Sequence, residues 1–409
     1  MARQTSLLFC GCVLAIVAWI TPSSSQQCLS DPPELEWQYQ NGSYHASMTF
    51  EVATKTINGV TFTTRLNNGM LPSPTIRMSA GEQYYLTLQN NLGAEEQGEL
   101  NTIRDYNWTN IHTHGLHISG EEPADSVFVV AEPGQSIEYY YDIPCDHAGG
   151  TVWYHPHHHG STAVQVGGGA AGALIAEPNE IELTSFPSWY TSMSEIILVI
   201  QHLDFEEVVE VGGDADKVFT TSSEEAFRVI NGEYQPTICL ERNTWKKLRM
   251  VHVDLSNSMT LTLDADADVC SLYLLSKDGV LVHGVNNEVP RYIEANEMYF
   301  TVASRADVAV QCSVAGTYNL IADGDTIAYI EVSDSGVSDA AEELTVFHPL
   351  RPAYLQSLLF YDGDVGEFEV ELDDEPMTVN GVTFQGYEDY LFEFEAGTVQ
   401  EWTILYVYA

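Results

Sequence analysis

Short runs in which apolar and polar residues alternate recur along the chain: YYLTLQN at 84–90, MTLTLDAD at 259–266, FEVELDD at 368–374 and YLFEFEAG at 390–397, each closed by Gly, Asn or Asp. A period of two places one face of a strand on a core and the other in water. Helical spacing is hard to find anywhere. The pattern therefore predicts an all-β protein of sandwiches or barrels. A longer repeat organises the strands. RLNNGMLPSPTIRMSAGEQYYLTL (65–88), RVINGEYQPTICLERNTWKKLRMV (228–251) and MTVNGVTFQGYEDYLFEFEAGTVQEWTIL (377–405) share one plan of strand, Asn-Gly turn, strand, polar break and strand. The turns begin at Asn68, Asn231 and Asn380, a near-regular spacing that predicts three copies of one domain. The boundaries read as 36–180, 190–335 and 343–409, the third copy being incomplete. Because a partial sandwich exposes unpaired strand edges, Ala409 is expected to lie inside a longer product rather than at a natural end.

The amino end, MARQTSLLFCGCVLAIVAWITPSSSQQC, has an early Arg, an apolar run from Leu7 to Ile20 and small polar residues suited to cleavage near Ser25. This is the plan of a secretory signal over 1–25. The rival reading, a membrane anchor, is disfavoured because the run falls short of the roughly 20 residues that span a bilayer. The mature chain is thus expected outside the cell, with no membrane partner. Cys10 and Cys12 leave with the signal. Cys28, Cys145, Cys239, Cys270 and Cys312 remain without any CxxC spacing, which excludes a zinc ribbon. Secretion permits disulfides, but five thiols leave one over and the pairing is open. The tripeptides NGS at Asn41 and NWT at Asn107 fit a glycosylated surface. A formal net charge of -44 argues against nucleic acid, since little could neutralise phosphates; dispersed acids serve solubility instead.

Histidine is distributed very differently. Eight of the thirteen fall between His112 and His159, seven of them in NIHTHGLH (110–117) and VWYHPHHHGSTAVQV (152–166). In a strand, residues two apart point to one face about 7 Å apart. His112 and His114 therefore project together, as do His155 and His157 about Pro156. One metal with bonds near 2 Å is served awkwardly by such a pair, whereas two or three adjacent ions are served well. All-imidazole ligation suits copper best among common first-row metals, with zinc as the alternative. A lone HxH pair is more often ordinary strand polarity; two such pairs in one domain point to metal.

HTHGLH, then ADSVF, then GGTVWYHPHHHGSTAVQVGGGAAGALIAEP resemble the first and second copper loops of the multicopper oxidases, the laccase and cuprous-oxidase superfamily. VNGVTF and GTVQEWTI are similar to the stretch before the third loop. The resemblance implies tandem cupredoxin-like (plastocyanin-like) Greek-key β-sandwiches. It assigns His112 to a type 2 copper and His114, His155 and His157 to a type 3 pair, in a cluster that reduces dioxygen to water with electrons from a type 1 copper. Asp125 of ADSVF sits where relatives keep an acid near the cluster, which implies a proton donor; a turn-stabilising role is the alternative. His159 is expected to support the cluster, while His158 and His117 read as surface or supporting groups and Gln165 as a structural hydrogen-bonder. His45, His147, His202, His252, His283 and His348 lack any pattern.

The family completes its cluster with HxHxH and HCH motifs, and no HCH occurs here. Cys145, in IPCDHAGG, belongs to the loop before the second histidine motif. The chain thus offers four of eight cluster histidines and no type 1 site, which a complete chain would carry. The leading expectation is a secreted copper-dependent oxidoreductase acting with dioxygen and an unknown donor, a phenol or a metal ion. Two alternatives stay open: a non-catalytic secreted copper-binding protein, and an adhesion scaffold whose histidines are vestigial.

Overall fold

The computed structural model describes residues 27–212, 220–223, 225–281, 289–334, 343–352, 354, 358, 361–374, 377–386, 390–395 and 397–407. The expected signal over 1–25, His283 and the terminal Ala409 lie outside the described residues.

The first unit is a two-sheet sandwich. One sheet runs in the order Thr220–Thr221, Val60–Asn67, Ser43–Ile57, Gln83–Asn90, Ser136–Asp142; the other runs Ile76–Ser79, Gly172–Glu177, Gly150–His155, His112–His114. Alternation does what the sequence requires of it: along Gln83–Asn90 every second residue is buried. Those inward residues meet the other sheet in a core that includes Phe50, Leu86, Tyr139, Tyr141, Tyr154 and Leu174. Burial of each such side chain stabilises by about 1.5–3 kcal/mol.

The second unit repeats the design. Ser194–Leu203, Lys246–Val253, Arg305–Cys312 and Cys270–Lys277 lie side by side in one sheet, and Thr237–Glu241, Asp325–Ser333, Gly316–Ala322, Met259–Asp264 and Glu297–Phe300 form the other. Between them lies a core of Leu198, Leu248, Met250, Leu261, Val308 and Ile330 with their neighbours. Beyond it, Val365–Asp374 pairs with Met377–Val379 and Val399–Val407 in a three-stranded sheet. The expected strand at 390–397 does not form. Its described residues are outside any ladder, yet the alternation still works, because Phe392 and Phe394 pack on Phe368 and Trp402 at centroid distances of 4.7–6.2 Å.

The three Asn-Gly turns share one geometry. Asn68, Asn231 and Asn380 have φ of 51°, 52° and 52°, each followed by a glycine of positive φ. Each Asn donates its backbone N–H to a neighbouring carbonyl, of Thr49, Val199 and Glu371. Each also accepts, through Oδ1, the N–H of that same residue at 2.7, 2.9 and 2.7 Å. Asn suits this site because it tolerates left-handed backbone and carries an amide that mimics a peptide.

Two disulfides join Cys28 to Cys239 and Cys270 to Cys312, leaving Cys145 as an exposed free thiol. The first staples the amino-terminal segment to the second sandwich. Among the described residues, no helix is long and apolar enough to cross a membrane.

The turn geometry gives a stability prediction. Asn231→Ala forces a Cβ residue into left-handed backbone and strands the Val199 N–H, so it should cost about 2–4 kcal/mol. Asn231→Gly strands the N–H alone and should cost about half as much. Urea unfolding of the two variants checks the order.

Candidate metal centre

The centre is built on a strand of three residues. His112–His114 pairs antiparallel with Gly150–His155, setting His112 opposite His155 and His114 opposite Trp153. So short an element needs help, and it has three supports. The Ile111 N–H donates to the Tyr139 hydroxyl at 2.8 Å, and the Thr113 N–H donates to Asp125 Oδ1 at 2.7 Å. Asn110, almost fully buried, donates to the carbonyls of Val127 and Val129 and accepts the His157 N–H at 2.6 Å. Gly115 ends the strand at φ +110°, where a Cβ would lie 2.8 Å from Val152 and 2.9 Å from the Arg305 guanidinium. Only glycine fits there.

Four imidazoles converge. Ring centroids are 5.6 Å apart for His112 and His114, 5.4 Å for His112 and His155, 5.1 Å for His112 and His157, and 5.6 Å for both His114–His155 and His155–His157. One nitrogen from each of His112, His114 and His155 lies within 4.8 Å of the others. His155 Nδ1 donates to the Pro156 carbonyl at 2.9 Å, which leaves the Nε2 lone pair free. That Nε2 stands 3.4 Å from His114 Nδ1, close to the separation of two nitrogens on one tetrahedral ion with bonds near 2.0 Å. Asp125 Oδ2 lies 3.0 Å from His112 Nδ1. A carboxylate there favours the proton on Nδ1, although the contact is electrostatic rather than a well-directed hydrogen bond, and it frees Nε2 for a ligand. Trp153 backs the group, with its ring 4.2 Å from His155 and 5.2 Å from His114.

The surroundings keep His114, His155 and His157 neutral. Burial, reinforced by Arg305 and the neighbouring imidazoles, pushes His114 down to about 4, and burial with the same crowding pushes His155 down to about 3. His157 is also lowered, by desolvation first and then by His112. Neutral nitrogen lone pairs crowded without a proton between them form a donor set that a cation would complete.

The structure corrects the strand geometry expected through His155 and His157. The ladder stops at His155, because Pro156 has no N–H to continue it. His157 reaches the cluster from the loop beyond, exposed and fixed through its backbone to Asn110. His158 turns away to Asp105 at 3.3 Å and lies over Trp108. His159 is exposed, with Nε2 3.0 Å from Asn101 Oδ1 and its ring 4.5 Å from Phe384; the same-face series does not continue to it. Helix Thr162–Gly167 follows. On it Gln165 accepts from Thr109 at 3.0 Å and donates to the carbonyls of Tyr106 and Trp108, tying the segment before the first motif to the segment after the second.

Of the remaining histidines, His147 accepts the His117 N–H at 2.9 Å, and His117 stacks on Tyr354 at 3.9 Å. His45 stacks on Tyr85, His202 pairs with Asp254 and His252 is bonded to the Thr301 carbonyl. Sequence reasoning missed Asn110 and Arg305. A polar residue immediately before Ile111 was a visible signal for the first; Arg305 comes from the second sandwich and gave none.

Comparison with known proteins agrees with this geometry. Residues 49–180 match the family model described as multicopper oxidase. A multicopper oxidase of Staphylococcus aureus is 27% identical over 222 residues, covering 52% of this chain and 42% of that protein, so the chain spans less than half the length of that relative. An L-ascorbate oxidase of Nicotiana tabacum is 32% identical over 123 residues, 29% of this chain and 18% of its own. Among solved structures, a laccase from Pediococcus acidilactici aligns with a TM-score of 0.70 at 18% identity, over 94% of this chain and 77% of that one. The multicopper oxidase of Campylobacter jejuni gives 0.65 at 19%, over 93% and 79%. Residues 49–180 therefore match a multicopper oxidase domain, and the chain shares the cupredoxin-like sandwich fold of the solved laccase and multicopper oxidase.

Proposed function

We propose that this chain is the part of a secreted copper-dependent oxidoreductase that supplies half of a multinuclear copper site. The whole protein would couple one-electron oxidation of a donor, a phenol or a metal ion, to reduction of dioxygen to water. The observation that carries the reading is the convergence of His112, His114, His155 and His157, with centroids 5.1–5.6 Å apart along every edge described above. His112 would serve a type 2 ion and the other three a type 3 pair. Copper bound there would supply the electrons that dioxygen accepts.

The residues of this chain have separate tasks. The Pro156 carbonyl and Asp125 hold protons on the outward nitrogens of His155 and His112 and so aim the inward ones. Asn110 fixes the loop that presents His157. Asp125 is also the nearest described carboxylate to the cluster, placed to pass a proton toward reducing oxygen through His112 or water.

Three measurements test this. Copper-loaded, dialysed protein should retain copper in proportion to chain, and His155→Ala should lower the retained amount by half or more. Retention that is absent, or indifferent to His155 and His112, would falsify the ligand assignment. Oxygen uptake with a phenol or a cuprous donor, by the full gene product, checks the reaction itself and separates it from a non-catalytic copper store.

Asp125→Asn keeps an acceptor for Thr113 but presents an amide N–H to His112. That favours the opposite tautomer and places the proton on Nε2. Copper affinity should fall about 10–100-fold, as is usual when a partner that orients a ligand is lost; isothermal titration reads it directly.

A separate prediction concerns pH. His114 and His155 are depressed to about 4 and about 3 from 6.5. Folded-state values below the unfolded one mean that their contribution to stability is fully present above pH 6.5 and is lost as pH falls toward 4 and 3. Metal-free protein should therefore lose melting temperature between pH 7 and 4.5, and His155→Gln should lose less over the same interval.

A further inference from the structure

At the junction of the two sandwiches lies a second group of charges that the copper chemistry does not use. Strand Lys246–Val253 alternates Leu248 and Met250, which face the core of the second sandwich, with Lys247 and Arg249, which face the first. Opposite them in the sheet stand Glu195, paired with Lys247, and Asp307, paired with Arg249. The side chains of Lys247 and Arg249 are only 6% and 7% exposed. They line a cavity of ≈ 290 Å³ with Glu177, Glu195, Asp307 and Ser276 on the polar wall, Glu177 being held by Arg77 at 2.8 Å, and Leu183, Phe186 and Tyr190 on the apolar one. Gly150 closes its floor so tightly that a Cβ would lie 2.1 Å from the Gly279 carbonyl.

The pairing across this cavity is lopsided. Each acid has another donor: Asp307 accepts from Thr151 at 2.5 Å, and Glu195 is drawn toward Arg77 at 3.4 Å. Neither base has a comparable hydrogen-bond acceptor, although Lys247 Nζ lies over the Tyr190 ring at 4.2 Å. Lys247 is 3.7 Å from Glu195, and Arg249 is 3.5 Å from Glu195 and 3.9 Å from Asp307, all longer than the 2.7–2.9 Å typical of a charge-assisted hydrogen bond. Arg249 Nε and Ser276 Oγ are buried with no hydrogen-bond partner among the described residues. Unmet buried donors of this kind cost about 1–3 kcal/mol each. A chain with 15 basic residues against 59 acidic ones has nonetheless placed two of them, Lys247 and Arg249, on the wall of one cavity.

We propose that this cavity binds a small organic carboxylate, with its anionic head on Lys247, Arg249 and Ser276 and its apolar body against Leu183, Phe186 and Tyr190. The volume is that of about ten waters at roughly 30 Å³ each, which limits the ligand to a molecule of single-ring size. The ligand bridges residues of the first sandwich, the connecting segment and the second sandwich, so its binding resists their separation.

Sodium benzoate is the probe, titrated calorimetrically into the metal-free full chain at constant ionic strength. One saturable site per chain is expected, with a melting temperature raised by a few degrees. Benzyl alcohol, similar in shape but uncharged, should bind at least tenfold more weakly, and so should benzoate to Arg249→Gln and Ser276→Ala. Since Arg249→Gln leaves Asp307 facing a lost charge, Ser276→Ala and Leu183→Trp, which narrows the apolar wall, decide the matter if that variant does not fold. Absence of saturable binding, benzoate affinity undiminished in both Ser276→Ala and Leu183→Trp, or sulfate binding as tightly as benzoate would each overturn the proposal. Because the assay contains no copper, its outcome is independent of the copper assignment.

Discussion

Everything at the metal centre rests on the pairing of His112–His114 with Gly150–His155. A two-stranded contact of this length is not stable by itself, so its register must be imposed from outside. The opposite sheet supplies one restraint through the Tyr139 hydroxyl, the 117–131 loop supplies two through Asp125 and the carbonyls held by Asn110, and the downstream helix supplies a fourth through Gln165. A slip of one residue would turn His112 and His114 to the far side and bring Thr113 inward. The centre therefore exists because four restraints from three separate parts of one sandwich agree on a single register.

That register creates an electrostatic problem which a cation resolves. Imidazoles crowded within 5.1–5.6 Å cannot all carry protons, and burial together with the Arg305 guanidinium opposes protonation further. The outward nitrogens of His155 and His112 are held by the Pro156 carbonyl and by Asp125, so these two rings cannot rotate freely to relieve the crowding. What remains is a pocket of neutral lone pairs in a chain whose net charge is -44. The long-range field attracts cations, and the local geometry selects those that prefer nitrogen. The acidic composition and the histidine clustering, separate facts in the sequence, thus act in the same direction.

The parts of this arrangement that the sequence reveals are those governed by local periodicity. Alternation locates the strands, HxH spacing places His112 and His114 on one face, and Asn-Gly pairs mark turns whose geometry recurs three times. Departures begin where a single residue overrides a period: Pro156 ends the ladder one step early, so His157 comes from a loop, and the apolar residues at 390–395 pack without pairing. Long-range partners are invisible to any local pattern. Which of five cysteines remains free, that Arg305 of the second sandwich presses on His114, and that Asn110 holds the second motif are all decided by contacts between segments dozens to hundreds of residues apart.

The direction from which the centre is open follows from which imidazole is exposed. His155 is buried in the sheet and backed by Trp153, whereas His157 faces outward. It borders a cavity of ≈ 1090 Å³ whose lining includes Ile103, Val127, Phe128, His159 and Phe384. Phe384 comes from the third segment and is held by the Asn101 amide at 2.9 Å and by parallel contact with Phe128 at 6.4 Å. Further ligands to ions held here must enter from this side, because the sheet closes the other. An apolar approach also disfavours hydrated ions and admits small uncharged molecules, since a charge leaving water for such a surface loses solvation that nothing there replaces. On the copper reading proposed above, that wall would suit the reduction of an uncharged oxidant better than the exchange of hydrated metal with bulk water.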